Sequence, residues 1–148
     1  MQRKKRVFII ILLLVIIGAT AYDFVFFEKS DQDEGMVVIG TRQWTVEKVS
    51  SPALRELGLG LRESLPSGRG MLFLFPDIGP GEYAFWMKGM RFSLDIAWMR
   101  DGRVIFLEHD VPSDSQDIFR PLAEADSVLE VNAGEFRDVA LGDVVRVE

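Results

Sequence analysis

Two side chains in the segment FWMKGM, Trp86 and Lys88, are of types that bind flat or polar ligands. Because successive strand residues point to opposite faces, Trp86 and Lys88 share one face, and we expect Phe85 and Met87 to face the core. A tryptophan beside a cation can stack against a sugar and hydrogen-bond its polar edge. The alternative is a buried Trp86, with the Lys88 ammonium reaching water along its aliphatic stem.

Further binding candidates lie near this segment. The loop 77–82 is rich in glycine and proline, so its backbone leaves room for the close approach of a ligand. With Arg62 as a second cationic donor, we predict a ligand site at the rim formed by this loop and the FWMKGM segment. Cationic donors there suit a carboxylate, a phosphate or a sugar acid.

Asp95 lies in the middle of a predicted strand, where carboxylates are disfavoured and a buried one needs a partner. We expect either a structural ion pair or a carboxylate that accepts backbone N–H bonds. Arg62 and Lys88 are the predicted partners for the ion pair. A carboxylate that lines a pocket is the third alternative, so Asp95 joins Trp86, Lys88 and Arg62 in the candidate ligand site.

The sequence offers little for catalysis or metal binding. An enzyme acting on sugars would need paired carboxylates, for which Asp95 and Glu130 are the candidates. Neighbouring strand residues point apart, so His109 and Asp110 cannot form a dyad with each other. With one His and no Cys, the chain lacks thiolate zinc ligands, and the acidic loop 110–117 lacks calcium-loop spacing. We therefore predict no catalytic residue, no metal and no cofactor.

The N-terminus has the pattern of a membrane-directed segment. A basic stretch, residues 1–6, is followed by an uncharged apolar run over residues 7–22. A retained anchor over residues 7–27 is long enough to span a bilayer. A cleaved signal peptide, ending near the small residues 19–21, is the alternative. The apolar FVFF that continues the run favours the anchor.

The charge distribution predicts the orientation and excludes one class of partner. Positive charges stay on the cytoplasmic side, so we expect residues 28–148 outside the cytoplasm, either anchored to the inner membrane or released to the periplasm. Residues 28–35 are a polar linker.

Residues 28–148 carry 13 basic and 22 acidic side chains, a net charge of −9. A body this acidic repels phosphate backbones, so we predict no nucleic-acid partner.

From residue 36 onward, turn signals separate short runs rich in β-branched and aromatic residues. This pattern predicts a single mostly β domain over residues 36–148. Eight strands in an open sheet would leave edges exposed, which favours a small closed barrel or a compact β-sandwich-like domain. The predicted strands cover residues 36–40, 43–49, 71–75, 84–87, 93–99, 103–109, 127–131 and 143–147.

Local signals place the turns and helices. Asp101-Gly102 predicts a type I′ hairpin turn, because both central residues need positive φ. Ser51-Pro52 opens a helix over residues 51–57, with the proline at its first position. Further short helices are predicted at 121–125 and 134–139, which gives one to three helices in all.

Several motifs of the body occur in a fixed order. They are Gly70-Met71-Leu72-Phe73, Phe85-Trp86-Met87-Lys88, Leu94-Asp95-Ile96, Val128-Leu129-Glu130-Val131-Asn132-Ala133-Gly134 and Leu141-Gly142-Asp143-Val144. In order and spacing, residues 43–148 resemble the bacterial and archaeal family called domain of unknown function 192. The resemblance implies a small, mainly β domain, often exported or membrane-tethered, with no established activity.

Three functions fit these observations. The first is a non-catalytic binding or accessory module outside the cytoplasm, which contacts a glycan, lipid or protein of the envelope. The second is a hydrolase or lyase that acts on envelope sugars with carboxylates. The third is a structural subunit of a membrane complex. A concave pocket lined by Trp86 and Lys88 would favour the first two over the third.

Overall fold

The computed structural model describes residues 33–75 and 83–148, which belong to one compact unit, Asp33–Glu148. Within these residues the chain is mainly β, as the sequence predicts, and has one short helix. The elements in chain order are β1 Asp33–Ile39, β2 Arg42–Val49, α1 Pro52–Leu57, β3 Arg69–Leu74, β4 Phe85–Trp86, β5 Leu94–Arg100, β6 Arg103–Val111, β7 Ile118–Phe119, β8 Ser127–Asn132 and β9 Val145–Val147.

Seven strands form one sheet in the order β6-β5-β8-β3-β2-β1-β9, and β4 pairs with β7 in a second, two-stranded sheet. Strands β2 and β3 run parallel, and α1 lies in the connection between them. The β5–β6 hairpin turns at Asp101 and Gly102, whose φ angles of 51° and 69° are both positive. These angles agree with the predicted type I′ turn.

The seven-stranded sheet curls so that its two ends approach each other. Arg103, at the start of β6, forms an isolated antiparallel bridge with Val144, just before β9. The backbone N–H of Val145 donates to the carbonyl of Gly102 over 2.8 Å. Because β9 has only three residues, this contact does not extend into a full ladder. The architecture is therefore a half-barrel rather than the predicted closed barrel or sandwich.

The half-barrel buries apolar side chains on both of its faces. Strand β5 shows the alternation, with Ala97 and Met99 on the inner face and Leu94, Ile96 and Trp98 on the outer face. A strand covered on both sides reads as a nearly continuous apolar run. The inner core also contains Val37, Ile39, Trp44, Val46, Leu72, Leu129, Val131 and Phe136.

The outer core is covered by the segments between the strands rather than by a second large sheet. Strand β4 is held over the outer face by edge-to-face ring contacts that Phe85 makes with Phe73 and with Trp98, at 5.0 and 5.7 Å between ring centroids. The indole N–H of Trp98 also donates to the Tyr83 carbonyl over 3.1 Å. These contacts fix the FWMKGM segment on the outer face.

The predicted helix at 51–57 is confirmed as α1. The Ser51 hydroxyl accepts a hydrogen bond from the Leu54 N–H, and Pro52 occupies the first turn. The other two predicted helices, at 121–125 and 134–139, are bends and turns in this structure. The N–H of Phe136 donates to a side chain of β5, so it does not take part in helical bonding.

No helix among the described residues is long and apolar enough to span a membrane. The predicted basic stretch 1–6 and the predicted anchor 7–27 lie outside the described residues, as does the loop 77–82. Strand β1 begins at Asp33, within the predicted linker 28–35.

Candidate functional site

A cleft of about 160 Å³ opens on the outer face of the half-barrel. Its walls come from α1 and the turn that follows it, from β4, and from the segment up to Met90. A cavity of this size holds a group as large as a single six-membered ring. The residues that give it chemical character are Phe73, Phe85, Trp86, Lys88 and Glu130.

Two glycines let two walls of the cleft approach each other. A Cβ atom on Gly89 would lie 3.3 Å from the carbonyl oxygen of Gly60, and one on Gly60 would lie 3.3 Å from the Lys88 carbonyl oxygen. Gly89 also has a φ of +80°, a region that side-chain-bearing residues rarely adopt. The turn after α1 therefore packs directly on the backbone that carries Lys88.

Trp86 and Lys88 both line this cleft, and both are exposed. Trp86 is 48% exposed, whereas Met87 beside it is 2% exposed and Phe85 is half-buried. The predicted alternation of faces is confirmed, and the alternative of a buried Trp86 is wrong. Trp86 stays exposed because its strand pairs only with the short β7, with Ile118 opposite, and no further layer of the described residues covers it.

Glu130 lies on the outer face of β8, between Met71 of β3 and Ile96 of β5 in the sheet register. It lines the cleft although only 5% of the residue is exposed. Burial raises the pKa of the Glu130 carboxyl to about 8. A raised pKa favours the protonated carboxyl at neutral pH, and a protonated carboxyl can both donate and accept hydrogen bonds.

From the sequence, Glu130 is a candidate catalytic carboxylate and not a member of the predicted ligand site. The sequence signal is a glutamate in the otherwise apolar strand SVLEVN. Strand position alone does not show whether such a carboxyl meets a pocket or a charged partner. The packing of β4 and the turn after α1 over β8 creates the cleft.

Arg62 does not line the cleft. Its guanidinium donates to both carboxylate oxygens of Glu47 on β2, at 2.5 and 2.6 Å. This charge-assisted pairing holds the pKa of the Glu47 carboxyl below its usual value. Arg62 therefore ties the chain after α1 to the sheet, and the structure does not bring it together with Trp86 and Lys88.

Asp95 lies on the inner face of β5 and is completely buried. Its two carboxylate oxygens accept hydrogen bonds from the backbone N–H groups of Asp110 and Phe136, each at 2.8 Å. The predicted ion pair with Arg62 or Lys88 is wrong, because both cations lie elsewhere. The alternative of a carboxylate that accepts backbone N–H bonds is confirmed. Asp95 thus joins three segments of the chain and does not line the cleft.

His109 and Asp110 are both exposed at the end of β6. Within residues 33–75 and 83–148, no three His, Asp or Glu side chains come close enough together to hold a metal ion. Hydrogen bonds within the acidic loop 110–117 shape its turn, such as the one that the Asp117 N–H donates to the Ser115 hydroxyl.

The fold and the site define a class: a mainly β half-barrel with a ring-sized cleft on its outer face. The chain belongs to the uncharacterised ACR family known as domain of unknown function 192, whose family model matches residues 32–147. The resemblance found over residues 43–148 is thereby confirmed. No curated protein matches the chain.

Two solved structures are similar to the chain. One, from Sinorhizobium meliloti 1021 and provisionally named a transcription regulator, is 28% identical, with a TM-score of 0.74. The match covers 80% of this chain and 97% of that one. The other, a protein of unknown function from Novosphingobium aromaticivorans, is 27% identical, with a TM-score of 0.68 and coverage of 76% and 83%.

Proposed function

We propose that this protein is a non-catalytic binding module for an envelope glycan, held outside the cytoplasm by its N-terminal segment. The observation that carries the proposal is the cleft that the exposed Trp86 and Lys88 line together with the buried Glu130. A concave site of this kind favours ligand binding over a purely structural role in a membrane complex.

The chemistry of the cleft fits a sugar ring. The Trp86 indole offers an apolar face for stacking, and the aromatic rings of Phe73 and Phe85 line the interior. The protonated Glu130 carboxyl can donate to a hydroxyl or carbonyl oxygen of the ligand, and the Lys88 ammonium can donate to a hydroxyl or carboxylate at the rim. A pyranose ring presents an apolar face and polar edges that match these groups.

Two features of the sequence support the proposal, one on the location of the body and one on the class of its ligand. The basic residues 1–6 and the apolar run 7–22 predict a membrane anchor with the body outside the cytoplasm. The net charge of −9 over residues 28–148 disfavours DNA, so the name of the Sinorhizobium meliloti protein is not carried over to this chain.

A hydrolase or lyase acting on the same sugars is the second candidate. Two carboxyl groups, those of Glu56 and Glu130, line the cleft, and the raised pKa of Glu130 suits a general acid. The binding experiment below also tests this candidate, because turnover would release new reducing ends from an oligosaccharide. Such release, lost in Glu130→Gln, would replace the binding module with an enzyme.

The test is a calorimetric titration of the fragment 33–148, which forms one compact unit. The probes are the tetrasaccharides of N-acetylglucosamine and of galacturonic acid, with phosphatidylglycerol vesicles as the lipid alternative. We expect one tetrasaccharide to bind, and Trp86→Ala and Lys88→Ala each to weaken its binding at least tenfold.

Matched controls are Leu122→Ala and Arg120→Ala, which truncate an exposed apolar and an exposed cationic side chain outside the cleft. Both should bind like the wild-type fragment. Binding only to vesicles, or glycan binding that Trp86→Ala leaves unchanged, would overturn the proposal.

A further inference from the structure

A second cleft lies on the other side of Trp86 and Lys88. It measures about 360 Å³ and is open, and Trp86 and Lys88 line it as they line the first cleft. Its far wall is the loop that precedes β7, with Ser113, Ser115 and Asp117. The two clefts are therefore neighbours that share one wall.

The pairing of β4 with β7 explains the shared wall. Trp86 stands directly opposite Ile118 in this two-stranded sheet, and both side chains are about half exposed, at 48% and 57%. Side chains opposite each other in a sheet lie on the same face and within contact distance. Together they form an apolar platform that reaches from the first cleft into the second.

The second cleft differs from the first in its polar groups. Its loop is held in shape by internal hydrogen bonds, from the Asp117 N–H to the Ser115 hydroxyl and from the Gln116 amide to the Asp114 carbonyl. Asp117, Ser113 and Ser115 line the cleft, and the Ser115 hydroxyl, which accepts from the Asp117 N–H, keeps its own proton to donate. A carboxylate and hydroxyls beside an aromatic face bind the hydroxyl groups of a sugar, and the Asp117 carboxylate offsets the attraction of the shared Lys88 ammonium for an anion.

We propose that the two clefts are adjacent subsites of one groove, which binds a glycan of at least two linked pyranose rings with Trp86 as the shared platform. This inference rests on the proposed glycan-binding function. The first subsite takes a ring at Glu130, and the second takes the next ring at Asp117. Both rings lie against the Trp86–Ile118 platform, so the groove recognises a chain rather than a free monosaccharide.

The experiment compares ligand length. Oligomers of N-acetylglucosamine and of galacturonic acid with one to four rings are titrated into the fragment 33–148. We expect the disaccharide of the binding series to bind at least tenfold more tightly than its monosaccharide. A neutral second ring avoids repulsion from Asp117, so we expect the N-acetylglucosamine series to gain more from length.

Variants in the second cleft test whether the gain in affinity from the second ring arises there. Asp117→Asn should weaken binding of the disaccharide about fivefold or more and change monosaccharide binding less than twofold. Asp114→Asn removes a carboxylate from the same loop that lines neither cleft, and it should leave both affinities unchanged.

The outcomes separate this inference from the proposed function. Trp86-dependent binding that is equally strong for one ring and for four would overturn the groove and keep the single binding site. A length effect that Asp117→Asn leaves intact would overturn the assignment of the second subsite. Absence of binding by every oligomer would overturn both proposals.

Discussion

Two buried carboxyl groups, those of Asp95 and Glu130, are accommodated in opposite ways. Asp95 accepts two backbone N–H bonds on the inner face, so each of its two carboxyl oxygens has a hydrogen-bond partner. Glu130 lies on the outer face among apolar side chains, and desolvation keeps its proton bound near neutral pH. Asp95 therefore stabilises the fold, whereas Glu130 presents a polar group to the cleft.

The first prediction concerns Asp95. Replacing it with alanine leaves the buried N–H of Phe136 and the partly buried N–H of Asp110 without their acceptor, and each loss costs about 1–3 kcal/mol. We expect Asp95→Ala to lower the free energy of unfolding by roughly 3 kcal/mol in chemical denaturation. Asp95→Asn keeps one acceptor oxygen and should lose less. A loss below about 0.5 kcal/mol for the alanine variant would contradict this role.

The second prediction concerns the pH dependence that Glu130 imposes. Its pKa in the folded state, about 8, exceeds the ordinary value of 4.5, so the unfolded chain releases the proton first as pH rises. The free energy of unfolding should therefore fall between about pH 5 and pH 8, with Glu130 contributing roughly 3 kcal/mol to the loss.

Denaturation of wild type and of Glu130→Gln at several pH values measures this contribution. The variant should lack the decline that Glu130 causes, so the stability difference between the two proteins should change across the range. Glu56→Gln, which replaces an exposed glutamate on the same cleft, is the matched control. Parallel plots of the free energy of unfolding against pH for wild type and Glu130→Gln would show that ionisation of the carboxyl costs the folded protein no stability.

At the scale of elements, the cleft lies between the half-barrel and the segments that connect its strands. Its shape depends on contacts that fix these segments to the strands. The segment after α1 is tied to β2 through Arg62 and Glu47, whose side chains are partly buried. Strand β4 is held by the rings of Phe73 and Trp98. These ties keep the two walls of the cleft in place over Glu130.

The third prediction tests the tie between Arg62 and Glu47. In a double-mutant cycle with Arg62→Ala and Glu47→Ala, we expect a coupling energy of about 1–2 kcal/mol, because the pair is bidentate and partly shielded from water. The cycle removes the effects of any other contacts of the two side chains. The pKa of Glu47 is lowered in the folded state, so the coupling should be present at neutral pH and decline as the carboxylate is protonated in acid. A coupling energy near zero at pH 7 would mean that the Arg62 and Glu47 side chains contribute independently to the free energy of unfolding.

At the scale of the whole molecule, the body and the N-terminal segment have separate tasks in the proposed function. In that proposal, the body is the part that binds the glycan, and the segment is the part that places it at the membrane surface. Residues 33–148 form a compact unit with their own cores, so the body can be studied without the segment.

The fourth prediction concerns topology. The basic residues 1–6 ahead of the apolar run 7–22 should keep the N-terminus in the cytoplasm and place the C-terminus outside. Alkaline phosphatase fused after Glu148 should therefore be active in cells, and green fluorescent protein at the same position should be dark. The reverse pattern would place the body in the cytoplasm and remove envelope glycans as ligands.

The sequence by itself determined the class of fold, the family and which residues of FWMKGM share a face, but it left open whether Trp86 is exposed or buried. Alternation of apolar residues, the Asp-Gly turn and the Ser-Pro helix start are local signals, because backbone geometry sets the direction of each side chain along a strand or turn. Among the nine strands that residues 33–75 and 83–148 form, these signals located eight, and they located the helix α1. They missed β7, because two residues, Ile118 and Phe119, are too few to show a period.

Only the tertiary structure decided which charged groups meet. Phe136 lies 41 positions from Asp95, and Glu47 lies 15 positions from Arg62, so both contacts depend on how strands and connections pack in space. No local pattern distinguishes the carboxyl of Asp95 from that of Glu130, since each interrupts an apolar strand. The face of the sheet and the segment packed over that face decide the difference. Asp95 became a structural hydrogen-bond acceptor, whereas Glu130 became a lining residue of a cleft.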